Sequence, residues 1–420
     1  MKIDKKLLSN FFFLSLLQIT NYIFPIITFP YLVRVLGIER FGLLAFATAV
    51  IAYFNIFVDY GFNLTATKEV SIHRNDKQKL NEIFSSVLII KSIFLVISFI
   101  ILTVIVFSFT KFKEHYIIYY LTFGTVLGHV LFPQWFFQGL EQMKYITLMN
   151  ILSKMIYTIS IFIFIHTAND VWKVPLLNSL GFILAGMVAL SIIKKDFEID
   201  FILPNIQILK RYILEGWHIF LSNVAISLYT ISTIFILGLF TNNIIVGYYA
   251  AADKIRSAFQ GILGPISQTI YPHIVHKVKI SKEQAIKFIR NAAILISILG
   301  TTLSLVLFLF ADFWVELFLG EKYTRSIAVL QIIAFLPLIV GLSNIFGIQT
   351  MVTFGMKKHF SKVIILGSIL NIILSIILVP LYFEIGSAIS VITVETFITI
   401  LMFIILRKNG IDLLKGKVYV

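Results

Sequence analysis

The chain runs to 420 residues, 59% of them hydrophobic and only 13% charged, with a mean hydropathy of +0.94. A soluble protein of this length has no interior large enough to hide that much apolar surface, so the composition excludes a soluble enzyme and specifies a polytopic membrane protein. The net charge of +14 does not argue for nucleic acid, because the basic residues fall in short loops between apolar runs, where they act as topology signals.

Twelve apolar segments each reach about 20 residues or more, enough to cross a bilayer. In order they are Ser9–Val35, Phe41–Asn63, Phe84–Phe109, Tyr116–Gln138, Ile146–His166 and Trp172–Ile193, then Trp217–Phe240, Ile244–Val275, Phe288–Leu319, Ile327–Phe354, Val363–Leu381 and Ile385–Leu406. We refer to them as spans 1–12. Lys2, Lys5 and Lys6 precede span 1, and Pro25 and Pro30 lie within it. With no small-residue cleavage site after the apolar run, it reads as a first spanning helix, not a removed signal. Placing the N-terminus inside puts 24 Lys and Arg on inside segments and seven on outside segments. That asymmetry predicts both termini in the cytoplasm. The outside loops are very short. Two inside loops, Thr65–Phe84 and His276–Arg290, read as basic amphipathic helices lying on the anionic inner leaflet. Trp172, Trp217 and Trp314 fall near span ends, as interface anchors should.

The chain reads as two parallel six-span halves, 1–205 and 206–420, around a central cavity. Span 2 opens RFGLLAFATAV and span 8 opens IVGYYAAADKI. Aligning Gly42 with Gly247 matches Ala45 to Ala250 and Ala47 to Ala252. Six spans per half is even, so the halves run in the same direction, with alternating access as rocking of one against the other.

Four basic residues remain inside spans: Lys91, Lys154, Lys254 and Arg256. An ionised side chain at bilayer depth costs about 2.5–3.5 kcal/mol on insertion scales, so such groups face protein or water. Asp253 and Arg256 stand three apart on one helical face and can pair, while Lys254 points about 100° away. The cluster sits among Ala250, Ala251, Ala252, Ala258 and Gly261, which leave room for close helix approach or a ligand. It is either a structural ion pair with Lys254 snorkelling or a cationic patch in a membrane cavity.

Lys91 and Lys154 lie about two turns from a cytoplasmic end, where snorkelling and cavity lining are both open. Arg34 stands near the outer end of span 1, as an interfacial residue or an outer gate. Asp59, before Gly61, either caps the following loop or serves a gate. Glu395 in span 12 reads as packed and protonated or as an ion site, and His129 as a bundle hydrogen-bonder. Pro25 and Pro30 break the ladder of span 1, and Pro265 and Pro272 that of span 8, as hinges or static kinks. The chain has no cysteine, no G-x-x-x-x-G-K-[ST] loop, no metal-spaced His/Glu/Cys cluster and no G-x-S-x-G, so no cofactor is expected.

Three stretches in order, FPYLVRVLG (Phe29–Gly37), DYGFNLTATKEVS (Asp59–Ser71) and FPQWFFQGLEQMKY (Phe132–Tyr145), resemble the Wzx-type O-antigen and polysaccharide flippases. That superfamily also holds multidrug/toxin extruders and lipid II flippases. The likeness covers essentially the whole chain, including YYAAADKI of span 8. It implies a non-enzymatic flippase of the bacterial plasma membrane, moving a polyprenyl-pyrophosphate-linked oligosaccharide from inner to outer leaflet. Implied partners are that substrate, membrane lipids, and a polysaccharide polymerase with its chain-length regulator.

On this reading Lys254 and Arg256 bind the pyrophosphate. Asp253 orients Arg256 or takes a proton or cation, and Tyr248 and Tyr249 stack on sugars. Two other functions compete. A cation-coupled drug antiporter calls for an acidic cavity, whereas the span 8 cluster has two basic residues and one acid. A membrane polymerase or glycosyltransferase calls for a catalytic loop, which the short outside loops do not supply.

Overall fold

A computed structural model describes residues 5–418. They are almost wholly helical, with one antiparallel hairpin pairing Ile411–Asp412 with Lys417–Val418. Helix is the state expected of apolar segments in lipid, because it satisfies every backbone donor and acceptor within the segment. Of the N-terminal basic residues, Lys2 lies outside the described residues.

Among the described residues, eight helices are long and apolar enough to cross a membrane, or nine if the pair Ile206–Leu228 and Ser232–Phe240, bent by 57°, forms one span. The difference from twelve has local causes. Lys5–Asp59 joins spans 1 and 2 and turns at Gly37, where φ is 76°. Lys357–Lys408 joins spans 11 and 12 and turns at Phe383, where φ is 53°. Span 8 is split into Asn243–Gly261 and Gly264–Ile280, and its charged cluster lowers its hydropathy. Counting the bent pair as span 7, the joined pairs as two spans each, and adding span 8 accounts for the twelve.

Contacts group the chain into two units. The first holds residues up to Gly37 together with Ala47–Ser227, and the second holds Ile38–Phe46 with Leu228–Val420. In the first, a buried aromatic cluster forms around Trp135, Phe136 and Phe137, with Phe136 edge-on to Phe84 and to Phe197. Helix Phe62–Ile72 crosses helix Gln134–Gly139 so closely that a Cβ on Gly139 would stand 2.6 Å from the Val70 side chain. The Thr67 hydroxyl also donates to the Trp135 carbonyl at 3.2 Å. The second and third recognised stretches therefore pack on each other.

The first part of helix Ile206–Thr230 belongs to this unit, although the repeat assigns it to the second half. Phe220 stacks on Tyr60 with ring centroids 4.8 Å apart, and a Cβ on Gly61 would meet Ile219 at 2.6 Å. Between spans 5 and 6, Thr167 and Asp170 form a capping box. The Lys173 ammonium, with the amides of Thr167 and His166, holds the Asp170 carboxyl well below the usual carboxylate range.

In the second unit the opening of span 2 lies against the opening of span 8. A Cβ on Gly42 would stand 1.8 Å from the Asn243 carbonyl oxygen, and one on Gly247 would stand 2.4 Å from that of Ile38. The two glycines that align in the repeat thus make one close crossing, at distances no side chain tolerates. Gly238 meets the Phe46 ring in the same way. Gly42→Val is expected to remove most of the monodisperse protein recovered from detergent extracts on size-exclusion chromatography, and an unchanged yield would contradict this crossing.

Candidate functional site

Span 8 begins at Asn242, whose side chain accepts from the Ile245 amide at 3.0 Å and so caps Asn243–Gly261. Val246, Gly247, Tyr249, Ala250, Ala251, Ala252 and Ile255 are all buried, which small residues permit. Asp253 and Arg256 pair as their spacing predicts. The guanidinium sends Nη2 to Asp253 Oδ1 at 2.7 Å and Nε to the same oxygen at 2.8 Å. Its other donors reach Gln260 Oε1 and Ser257 Oγ. Lys254 is exposed on another face and, among the described residues, pairs with no carboxylate.

Asp253 and Arg256 face a cavity of about 420 Å³ inside the second unit. Its polar lining is Thr233, Tyr249, Asp253, Arg256, Gln260, Ser343, Asn344, Asn371 and Glu395, set among apolar walls such as Leu336, Val340, Phe360 and Val391. Asn371 donates to Ser232 Oγ at 2.9 Å, and its own Oδ1 is buried without a hydrogen-bond partner among the described residues. Asn344 leads into the π-helix Ile345–Val352, a geometry frequent at functional sites. In that helix Gln349 donates to the Ser267 carbonyl at 2.9 Å, and its Oε1 too is buried and, among the described residues, unpartnered. The ionisable lining comprises two carboxylates and one guanidinium.

The geometry rearranges the sequence expectations. Lys254 and Arg256 do not share this cavity, and Arg256 is engaged by Asp253, Gln260 and Ser257. Tyr249 lines the cavity, but Tyr248 lies under the Arg325 guanidinium at 5.3 Å and packs edge-on to Tyr323 at 6.2 Å. Arg325 also pairs at 2.6 Å with Glu384, a nearly inaccessible carboxylate beside the strained Phe383. Glu384, Asn344, Gln349 and Asn371 were not singled out by sequence reasoning. Their signal is a polar side chain inside or beside an apolar run. Pro265 occupies the first turn of Gly264–Ile280, where its missing N–H costs nothing, so the break falls at Ile262–Leu263 just before it. Pro272 stands inside that helix.

In the first unit Lys91 is 4% exposed and pairs with Asp59 at 3.3 Å, which replaces snorkelling by an internal ion pair. Helix Phe62–Ile72 begins at Gly61 with no side-chain cap, so Asp59 does not cap it. His129 is half-buried, its ring 4.7 Å from that of Phe182. The Lys154 ammonium donates to Asn21 Oδ1. Arg34 is exposed, one turn before Gly37. Pro25 and Pro30 both remain inside the helix, which turns at Gly37 instead.

Residues 7–278 match the family described as polysaccharide biosynthesis protein. Over 400 residues the chain is 36% identical to an Escherichia coli K12 protein named "Putative O-antigen transporter", covering 95% of this chain and 96% of that one. A Shigella dysenteriae protein of the same name is 30% identical over 401 residues, covering 94% and 98%. Among solved structures, the lipid II flippase MurJ in an inward closed conformation superposes with a TM-score of 0.69 at 12% identity, over 95% of this chain and 87% of that one. An inward-facing multidrug resistance MATE transporter superposes with a TM-score of 0.68 at 15% identity, over 92% and 94%. The fold is therefore the two-lobed helical transporter fold of those structures. With a family match over most of its length and two near-full-length relatives, this chain belongs to the polysaccharide biosynthesis protein family.

Proposed function

We propose that this chain carries a polyprenyl-pyrophosphate-linked oligosaccharide repeat unit from the cytoplasmic to the outer leaflet of a bacterial plasma membrane, for surface polysaccharide assembly. Supporting this is near-full-length similarity to two proteins named as O-antigen transporters, together with the fold shared with a lipid II flippase. Both termini lie in the cytoplasm, where the basic segments concentrate. The halves 1–205 and 206–420 alternate access by rocking, with Pro25, Pro30, Pro265 and Pro272 as hinge positions. A polysaccharide polymerase and its chain-length regulator act next on the product.

The observation on which the residue roles rest is the charge of the cavity in the second unit. Two carboxylates and one guanidinium, the latter committed to Asp253, favour a proton or small cation over a pyrophosphate. We therefore assign Asp253 and Glu395 to ion coupling, with Arg256 paired to Asp253 and fixing its position. Lys254, the cation that span 8 leaves without a carboxylate, takes the head group, with Arg34, Lys91 and Lys154 as further cations along the path. Tyr249 lines the coupling cavity, and Tyr248 reaches sugar only when Arg325 leaves its ring. Asp59 gates through its pair with Lys91.

Deleting the gene and returning it on a plasmid tests the reading. Surface polymer is expected to vanish, with single repeat units trapped on the cytoplasmic leaflet. Wild type should restore it, and Lys254→Ala should restore under about a tenth, the effect of losing one charge-assisted contact of ~1.4 kcal/mol. The acid-rich cavity also suits a cation-coupled drug antiporter. Unchanged polymer with altered drug sensitivity would favour that reading, and unpolymerised units on the outer leaflet would favour a polymerase.

A further inference from the structure

The first turns of helix Lys357–Lys408 carry a basic cluster that no role above absorbs. Lys357, Lys358, Ser361 and Lys362 are all exposed, and Ile365 and Leu366 are exposed one turn further along. These six side chains line one open groove of about 580 Å³. Lys358, Ser361, Lys362 and Ile365 follow the spacing of a single helical face. Among the described residues none of the three lysines pairs with a carboxylate, and the first turn of the helix contains no acidic residue. The exposed face continues as an apolar ridge through Ile369, Ile373 and Ile376. A cationic end with a hydroxyl, joined to an apolar ridge, has the polarity of one lipid molecule. From Lys358 to Ile365 is about 10 Å along the axis at 1.5 Å per residue, so the cationic end and the apolar ridge follow one another along the same helix face.

We infer that this groove binds an anionic phospholipid. The phosphate sits among Lys357, Lys358 and Lys362, Ser361 donates to it, and the acyl chains run along Ile365 and Leu366. Lysine suits this place because its stem lies on apolar surface while the ammonium reaches the headgroup plane. Assigning the lipid to the inner leaflet rests on the proposed topology, but the binding itself does not.

The chain has no cysteine, so Ile365→Cys gives a single labelling site beside the groove, and Ile298→Cys a reference on another exposed helix face. Each variant carries a bimane and is reconstituted in equimolar phosphatidylcholine and phosphatidylglycerol vesicles. Quenching by nitroxide-labelled phosphatidylglycerol is then compared with quenching by nitroxide-labelled phosphatidylcholine. At Ile365→Cys the ratio is expected to be about fivefold or more, the factor one lysine contributes near an anionic headgroup. At Ile298→Cys it should be near unity, as it should at Ile365→Cys once Lys357→Gln, Lys358→Gln and Lys362→Gln are added.

Equal ratios at the two sites would overturn the inference, as would a preference that survives the triple substitution. Loss of the preference on adding inorganic phosphate at constant ionic strength would assign the groove to a free anion instead. Loss on adding trace polyprenyl phosphate would assign it to the carrier of the substrate. Either result overturns the phospholipid assignment. The assay involves no transport, so its failure would leave the flippase reading untouched.

Discussion

Replacing Lys91 with alanine is expected to destabilise the first unit by about 3–5 kcal/mol, the usual cost of removing one partner from a buried ion pair. Lys91 is 4% exposed, and its ammonium stands 3.3 Å from Asp59. The variant strands a carboxylate, about a fifth exposed, beside the aromatic stack of Tyr60 and Phe220. Asp59→Ala should cost as much, since it leaves the more deeply buried ammonium uncompensated. The double variant Lys91→Met/Asp59→Leu removes both charges and should recover most of the loss, because a buried pair replaced by apolar groups of similar size is often neutral. Thermal unfolding in detergent, followed by tryptophan fluorescence, gives all four corners of the cycle. Equal destabilisation by each single variant with recovery in the double would identify a structural clamp. Recovery of stability in the double without recovery of export would identify a gate at the same place. Full stability in Lys91→Ala would refute the pair itself.

How far these features could be read in advance depends on how local they are. Asp253 and Arg256 pair across three residues of one helix, so spacing alone predicts the bridge found at 2.7 Å. The joined apolar runs and their loop charges likewise give the spans directly, because length and lysine placement are one-dimensional quantities. The Lys91–Asp59 pair joins positions 32 residues apart, and the bond from Asn371 to Ser232 bridges 139. Only helix packing brings those together.

The direction of Lys254 follows from the 100° step per residue, but the sign of the cavity does not. It depends on Glu395, contributed by the last span, and on Arg256 being engaged by its neighbours. The recognised stretches show the same limit. Gly139 and Val70, and Thr67 and Trp135, reveal that much of that pattern records packing of helix Phe62–Ile72 on helix Gln134–Gly139. The close approach of Gly42 and Gly247 adds a physical reason for the small residues that align in the repeat.

Glu395→Gln is expected to uncouple transport from its driving gradient while leaving downhill movement in place. The cavity of the second unit holds Asp253, Arg256 and Glu395, and the guanidinium makes two contacts of 2.7 and 2.8 Å to Asp253. The lining thus sets two carboxyl groups against one guanidinium that is committed to Asp253, an arrangement suited to a proton or small cation. An uncompensated charge in such a site costs several kcal/mol, so occupancy by a cation changes which packing of the surrounding helices is favoured. One elementary charge moved through 100 mV is worth about 2.3 kcal/mol, about 50-fold in a steady-state leaflet ratio. In proteoliposomes with a fluorescent lipid-linked oligosaccharide and an imposed gradient, wild type should accumulate substrate in the outer-equivalent leaflet by up to about that factor. Glu395→Gln should relax to a ratio near unity at a similar initial downhill rate, because neutralising the acid removes the ion and not the path. Asp253→Asn should lose both, since it frees Arg256 to bind Glu395 and locks the cavity. A gradient response that survives Glu395→Gln would remove Glu395 as the coupling group. An inactive Asp253→Asn with Glu395→Gln fully responsive would transfer the coupling role to Asp253.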